Sequence, residues 1–231
     1  MKIPEFKIRT DLALEEREGL KEAAEEVSGV SFKKWEGKRS AAQITEVKVL
    51  NEHGAKALGK PMGSYLTLEA DKLLMPDEDF HSEVSDELAL LLKGLLKQKT
   101  GKNILVAGLG NQSVTPDSLG PRTVSNLCVS AEGLKAIAPG VMAQTGMETA
   151  RILLGIIKEV QPDLVIAIDA LAARSIRRLG TTIQLTDTGI HPGSGVGNHR
   201  HSLTKETLGI PVLAIGVPTV INSCVSHCFN K

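Results

Sequence analysis

Two short runs of branched apolar residues, Ile104-Leu105-Val106-Ala107 and Leu164-Val165-Ile166-Ala167-Ile168, constrain this chain more than any other feature. Neither shows the apolar–polar alternation of a half-exposed strand. Each therefore reads as a strand buried on both faces, as in a parallel sheet covered by helices. The first run breaks at Gly108-Leu109-Gly110-Asn111 and continues through Val114-Thr115-Pro116-Asp117-Ser118-Leu119-Gly120-Pro121, and the second ends directly on Asp169. Open α/β sheets bind ligands at the carboxyl ends of their strands. One sheet edge then carries two carboxylates, Asp117 from a loop and Asp169 from a strand end, and this pair is the candidate catalytic site.

The rest of the chain supplies the layers. Asp77 to Lys99 is amphipathic, with Val84, Leu88, Leu91, Leu92, Leu95 and Leu96 at three- and four-residue spacing. Further helices are predicted over 120–129, with Pro121 in the first turn, and over 145–160 and 170–179. Strands follow at 181–185 and 212–217. Strand and helix alternating in this order predict right-handed crossovers and a mostly parallel sheet, hence an α/β fold built as a three-layer sandwich. Upstream, the alternation around Ile44, Val47 and Val49 and the run 65–69 predict two strands of a small additional sheet within 41–69. A helical turn over 53–58, stopped by Gly59, lies between them. Residues 12–220 form one domain on this reading, and the polar stretch from Met1 to about Gly29 carries a loose helical pattern over 12–26.

Composition narrows the function classes. The 231 residues carry no formal net charge, which removes the electrostatic reason to expect a nucleic acid or a membrane as partner. No apolar run approaches the roughly 20 residues needed to cross a bilayer, and the amino terminus lacks the hydrophobic core of a signal peptide. Three cysteines, Cys128, Cys224 and Cys228, form no disulfide framework. These features point to a reducing, cytoplasmic location.

Two aspartates at one edge can divide the work of amide hydrolysis, an ionised carboxylate accepting a proton from water while a neutral one donates to the leaving nitrogen. Each also has an ordinary structural use, Asp117 as a helix cap and Asp169 as a turn residue. Asp187-Thr188-Gly189 has the form used by pepsin-like enzymes. Those need two equivalent loops, so a single copy reads as a turn. Gly108-Leu109-Gly110 lacks the third glycine of a dinucleotide fingerprint, because position 113 is Ser113, and Gly193-Ser194-Gly195-Val196-Gly197 has the wrong spacing. No cofactor is expected. His191, with the two aspartates, would complete an oxygen, oxygen, nitrogen set suited to a divalent metal, but a histidine in such a loop more often hydrogen-bonds backbone. Asn111 and Asn198 suit either the backbone of a bound peptide or a turn. Arg174, Arg177 and Arg178 form a solvated face or a dock for an acidic substrate. Cys224, His227 and Cys228 lack the second ligand pair of a zinc site.

Long, ordered runs resemble a known family. Gly108-Leu-Gly-Asn111 with Val114-Thr-Pro-Asp117-Ser-Leu-Gly-Pro121, Ala138-Pro-Gly-Val-Met142, Thr145-Gly-Met-Glu-Thr149, Ile168-Asp-Ala-Leu171, Thr186 through Asn198, and Gly209-Ile-Pro211 with Ala214-Ile-Gly-Val-Pro-Thr219 are similar to the germination protease of endospore-forming bacteria. The similarity runs from about Arg9 to Val220. It implies an endopeptidase of atypical aspartic type that uses Asp117 and Asp169, with Asn111, His191 and Asn198 shaping the cleft and no metal. Its substrates would be small acid-soluble spore proteins degraded in the spore core during germination, and its assembly a tetramer. Family members are made as zymogens. The stretch Thr10-Asp11-Leu12-Ala13-Leu14-Glu15 has the small, acidic, apolar, Ala, any, Glu character of the family's substrate sites, so residues 1–11 read as a leader cleaved between Asp11 and Leu12. The fold implied is similar to the hydrogenase-maturation peptidases, whose matching edge binds nickel, and a metal-dependent peptidase is the rival reading. Two departures stand out: 125–139 is short, and 221–231 is an atypical tail in place of a longer carboxyl segment. A shortened remnant that binds peptide without cutting it is the third reading.

Overall fold

A computed structural model describes residues 10–21, 27–96, 103–129, 133–190 and 202–222. Among them, eight strands form one sheet: β1 (Val30–Glu36), β2 (Gln43–Val49), β3 (Gly63–Glu69), β4 (Ile104–Gly108), β5 (Leu134–Ile137), β6 (Leu164–Ala173), β7 (Thr182–Thr186) and β8 (Val212–Ile221). The helices are α1 (Ala13–Lys21), α2 (Glu52–Leu58), α3 (Glu78–Leu96), α4 (Leu119–Ser125), α5 (Met142–Thr145), α6 (Thr149–Val160) and α7 (Lys205–Leu208). The order across the sheet is β1-β2-β3-β7-β8-β6-β4-β5. No described helix is long and apolar enough to cross a membrane.

The sheet is mixed, which corrects the expectation of a mostly parallel one. Neighbours from β1 to β8 pair antiparallel, and only the block β8-β6-β4-β5 is parallel. Nor is there a separate small sheet. The strands within 41–69 are the outer half of the same sheet, because β3 pairs with β7 from Tyr65↔Thr186 to Glu69↔Thr182. The helix expected over 170–179 is absent. β6 instead runs on to Ala173, a 3-10 turn follows at Ile176–Arg178, and β7 starts at Thr182. β7 runs opposite to β6, so the chain needs no crossover helix to enter it; only a parallel partner would demand one. β1 and β5 were not foreseen either. β1 lies at the sheet edge and exposes Lys33 and Lys34, a placement that discourages edge pairing with another chain.

Side chains alternate across the strands to build the layers. On one face of the parallel block, Leu105, Ala107, Val165, Ala167, Leu171, Val212 and Ala214 pack with Ala150 and Leu153 of α6 and with Leu208 of α7. On the other, Val106, Ile166, Ile168 and Leu213 meet Leu92, Leu95 and Leu96 of α3 and Leu119 and Val124 of α4. The same α3 packs Phe80 and Val84 under Leu68 in the antiparallel half. At about 1.5 Å per residue, its 19 residues reach across both halves. The start of α1 does so on the opposite face, with Leu12 in the core of the parallel block and Ala13 against Val47, Val49 and Tyr65.

Candidate active site

The loop after β4 makes a tight return. Val114–Ser118 turns through a 3-10 segment at Thr115–Asp117, and α4 begins at Leu119. Two glycines let this return close on the sheet. Gly110 has φ +113°, and a Cβ there would overlap the carbonyl oxygen of Asp117. A Cβ on Gly120 would lie 2.5 Å from the Ile168 carbonyl oxygen and closer still to the backbone N and O of Leu109. The start of α4 therefore rests backbone against backbone on the end of β4 and the middle of β6, where Leu109 N–H also donates to Ile168 O at 2.8 Å.

Asp117 is half-buried. Its Oδ2 accepts the N–H of Asn111 at 2.8 Å, and its own N–H donates to Val114 O at 2.8 Å. Asn111 Oδ1 accepts the N–H of Ser113 at 3.0 Å and the side-chain amide of Gln144, on α5, at 2.7 Å. On the other side, Thr219 Oγ1 donates to Pro116 O at 2.6 Å and fastens the turn to β8. Asp169 follows Ile168 on β6 and is 7% exposed. It shares a face with Ala167 and Leu171, and its Oδ1 accepts the N–H of Ala170 at 2.9 Å. The two expected aspartates thus come from adjoining backbone on the carboxyl side of the parallel block, Asp117 beyond the end of β4 and Asp169 within β6, which does not end on Asp169 as the sequence suggested but stays paired with β8 as far as Ala173. One is buried, and the other is held by a backbone N–H.

The same edge holds the amino-terminal segment. Asp11 N–H donates to Ala172 O at 2.9 Å, and Ala172 N–H donates to Asp11 Oδ2 at 2.8 Å. The Asp11 carbonyl receives the Lys60 ammonium at 2.9 Å and the Gln184 amide at 3.2 Å, and Ala13 N–H donates to Gln184 Oε1 at 2.8 Å. Leu12 is wholly buried. Glu15, also buried, accepts the Thr10 hydroxyl, the N–H groups of Arg174 and Ser175, and the Arg178 guanidinium at 3.1 Å. Burial pushes the Glu15 carboxyl up, but these four donors outweigh it and hold it below the usual range. Arg178 also binds Glu18 at 2.8 Å and Glu69 at 3.0 Å, and Arg174 approaches Glu16 at 3.5 Å. Arg174 and Arg178 are not a solvated face but dock an acidic stretch of their own chain, whereas Arg177 between them is exposed. The expected cleavage bond, Asp11–Leu12, is accordingly part of the packed fold.

Asp187 behaves as the turn residue expected of a single Asp-Thr-Gly. Its Oδ1 accepts Ser64 N–H at 2.8 Å and ties the end of β7 to the start of β3. Since Thr186 is opposite Ala214, this turn lies toward the amino end of β8, away from Asp169. Tyr65 beside it is pushed up to about 12 by burial and by the Asp187 charge, against a hydrogen bond from Thr188. His191, Asn198, Cys224, His227 and Cys228 lie outside the described residues, so the metal set with His191 is not visible; among the described residues no three acidic, His or Cys side chains gather as a metal site. Sequence reading missed Lys60, Gln144, Gln184 and Thr219. Of these only Thr219 had a signal: Pro218 inside a strand marks a bulge.

A family model described as germination protease matches residues 8–228. Relatives with that description include one from Caldanaerobacter subterraneus subsp. tengcongensis, 51% identical over 94% of this chain and 70% of its own length. One from Oceanobacillus iheyensis is 46% identical over 94% of this chain and 65% of its own, and one from Clostridium perfringens 42% over 94% and 71%. The chain thus spans about two thirds of the length of these relatives.

Proposed function

The chain belongs to the germination protease family, and on that premise we propose that it is an endopeptidase that hydrolyses small acid-soluble spore proteins in the spore core during germination, with Asp117 and Asp169 sharing the acid and base work. The observation that supports this reading is that the glycine-tight return carrying Asp117 closes directly on the backbone of β6 beside Asp169, through Gly120 against Ile168 O and Leu109 N–H on the same oxygen. One ionised carboxylate takes a proton from the attacking water while its neutral partner protonates the amide nitrogen as the bond breaks.

Residues up to Asp11 are, on the same reading, a leader removed by cleavage of the Asp11–Leu12 bond. With Leu12 in the core and two side chains on the Asp11 carbonyl, that bond reaches a catalytic pair only after the segment lifts from Ala172 and Gln184. Assembly as a homotetramer belongs to the proposal, and the exposed Met142, Met147 and Leu154 on and between α5 and α6 support an apolar contact there.

The test incubates the purified chain with a spore small acid-soluble protein and follows both by intact-mass spectrometry. The wild type should cut the substrate with or without chelator. Asp117→Asn and Asp169→Asn should each lose roughly 10²–10⁴-fold in rate. Wild-type turnover by either variant removes the aspartate assignment, and loss of turnover with chelator turns the reading to metal-dependent hydrolysis.

A further inference from the structure

We infer that Thr219 is a positioning residue for Asp117, acting through the Pro116 carbonyl at a β-bulge; this rests on Asp117 being one of the reacting pair. The β6–β8 ladder runs in register through Asp169↔Gly216, Ala170↔Val217 and Leu171↔Pro218, then resumes at Ala172↔Val220. Thr219 is the extra residue. Bulges next to active sites re-aim a side chain that a regular strand would point elsewhere. Pro218 lacks an N–H, so the ladder has less to lose at this point.

The redirected hydroxyl does one specific thing: it donates to Pro116 O at 2.6 Å. That oxygen belongs to the peptide unit immediately before Asp117, and the N–H of the same unit donates to Val114 O at 2.8 Å. The unit is therefore fixed at both ends, and its plane sets where the Cα–Cβ bond of Asp117 points. The Asp117 carboxylate then meets Asn111 N–H. Because β8 also pairs with β6 beside Asp169, the Thr219 bond measures the Asp117 turn against the strand that neighbours the other aspartate. The bond is solvent-accessible and contributes little to global stability, since water can replace a lost donor there. Geometry is what it supplies.

The test compares Thr219→Val, which keeps the shape and removes the donor, with Thr219→Ser, which keeps the donor. Thr219→Val should lower kcat by roughly 10–100-fold with KM within about 2-fold, the signature of misplacement rather than lost binding. Thr219→Ser should restore kcat to within about 3-fold of wild type. Amide hydrogen exchange at Asn111 and Asp117 gives a readout that needs no turnover, and it should quicken in Thr219→Val and not in Thr219→Ser. Unchanged exchange in Thr219→Val overturns the inference whatever the turnover. Quickened exchange in a wild-type background that cuts nothing keeps the tether and instead removes the catalytic reading of Asp117.

Discussion

Gly120 offers a quantitative test of how the site is built. In Gly120→Ala, the new methyl would lie 2.5 Å from Ile168 O and closer still to the Leu109 backbone, and opening these contacts to the ordinary 3.4 Å means moving α4 by at least about 0.9 Å. The obstructing atoms are all backbone, of Leu109 just after β4 and of Ile168 within β6, so no side chain can swing aside. Overpacking of this kind costs about 1–3 kcal/mol, and rigid backbone puts this case at the upper end. The gain from replacing a helical glycine by alanine is at most about 1 kcal/mol. The net expectation is a loss of about 2 kcal/mol. Gly155, inside α6, is the control: nothing lies within 4 Å of a Cβ placed there, so Gly155→Ala should stabilise by about 0.5–1 kcal/mol. Urea unfolding of both variants reads the difference, provided the m-values match wild type. Because α4 carries the Asp117 turn with it, Gly120→Ala should also slow cleavage by up to about 100-fold while Gly155→Ala leaves it alone. Shifts of the same sign and size in both variants would refute the backbone-contact argument.

Three further outcomes follow from contacts described above. Leu12→Ala should destabilise by about 3–5 kcal/mol in urea unfolding, because the residue is fully buried in the main core; a loss under about 1 kcal/mol means that the segment is only loosely docked. Glu15 has a lowered folded pKa, so its stabilising effect is present above its unfolded value of 4.5 and is lost as pH falls through the lower folded value. The gap in urea midpoint between wild type and Glu15→Gln should therefore narrow below about pH 4.5, and a gap that widens on acidification contradicts the hydrogen-bond assignment. Asp187→Ala should cost about 1.5–3 kcal/mol through Ser64 N–H without changing cleavage. In the same variant the chain's single tyrosine should titrate below about 12, read by tyrosinate absorbance; unaltered titration speaks against the Asp187 contribution.

The candidate edge was legible because strands buried on both faces write themselves as unbroken apolar runs, and Gly-Leu-Gly-Asn marks where the first one stops. Strand direction was not legible. Apolar runs such as those at 164–168 and 212–217 look alike whether a neighbour runs with or against them, and direction is settled by pairing with residues far off in sequence. The segment Ala170–Ala173 satisfies helix propensity and strand burial equally, and β8 alongside it decided for the strand. The role of the amino-terminal residues was hidden for the same reason. Glu15 and Glu18 look like a solvated helix until Arg178, some 160 residues on, is brought beside them. Leu12 gives no sign of its burial, because its neighbours in the core begin at Leu105. Thr219 was not legible: the strand expected over 212–217 stopped before Pro218, and what the bulge aims at depends on a loop about a hundred residues upstream.

The position of β8 between β7 and β6 carries a consequence for synthesis. The first seven described strands can pair only as two separate sheets, β1-β2-β3-β7 and β6-β4-β5, since no other described strand joins them. While the chain is still emerging from the ribosome, β7 and β6 are both open edges, and β6 is buried along nearly its whole length in the finished protein. Such edges invite pairing with other chains. That exposure ends when Val212–Ile221 emerges and slots between them, antiparallel to one neighbour and parallel to the other. The nascent chain is thus most prone to aggregate in the interval when seven of the eight described strands have been made and β8 has not.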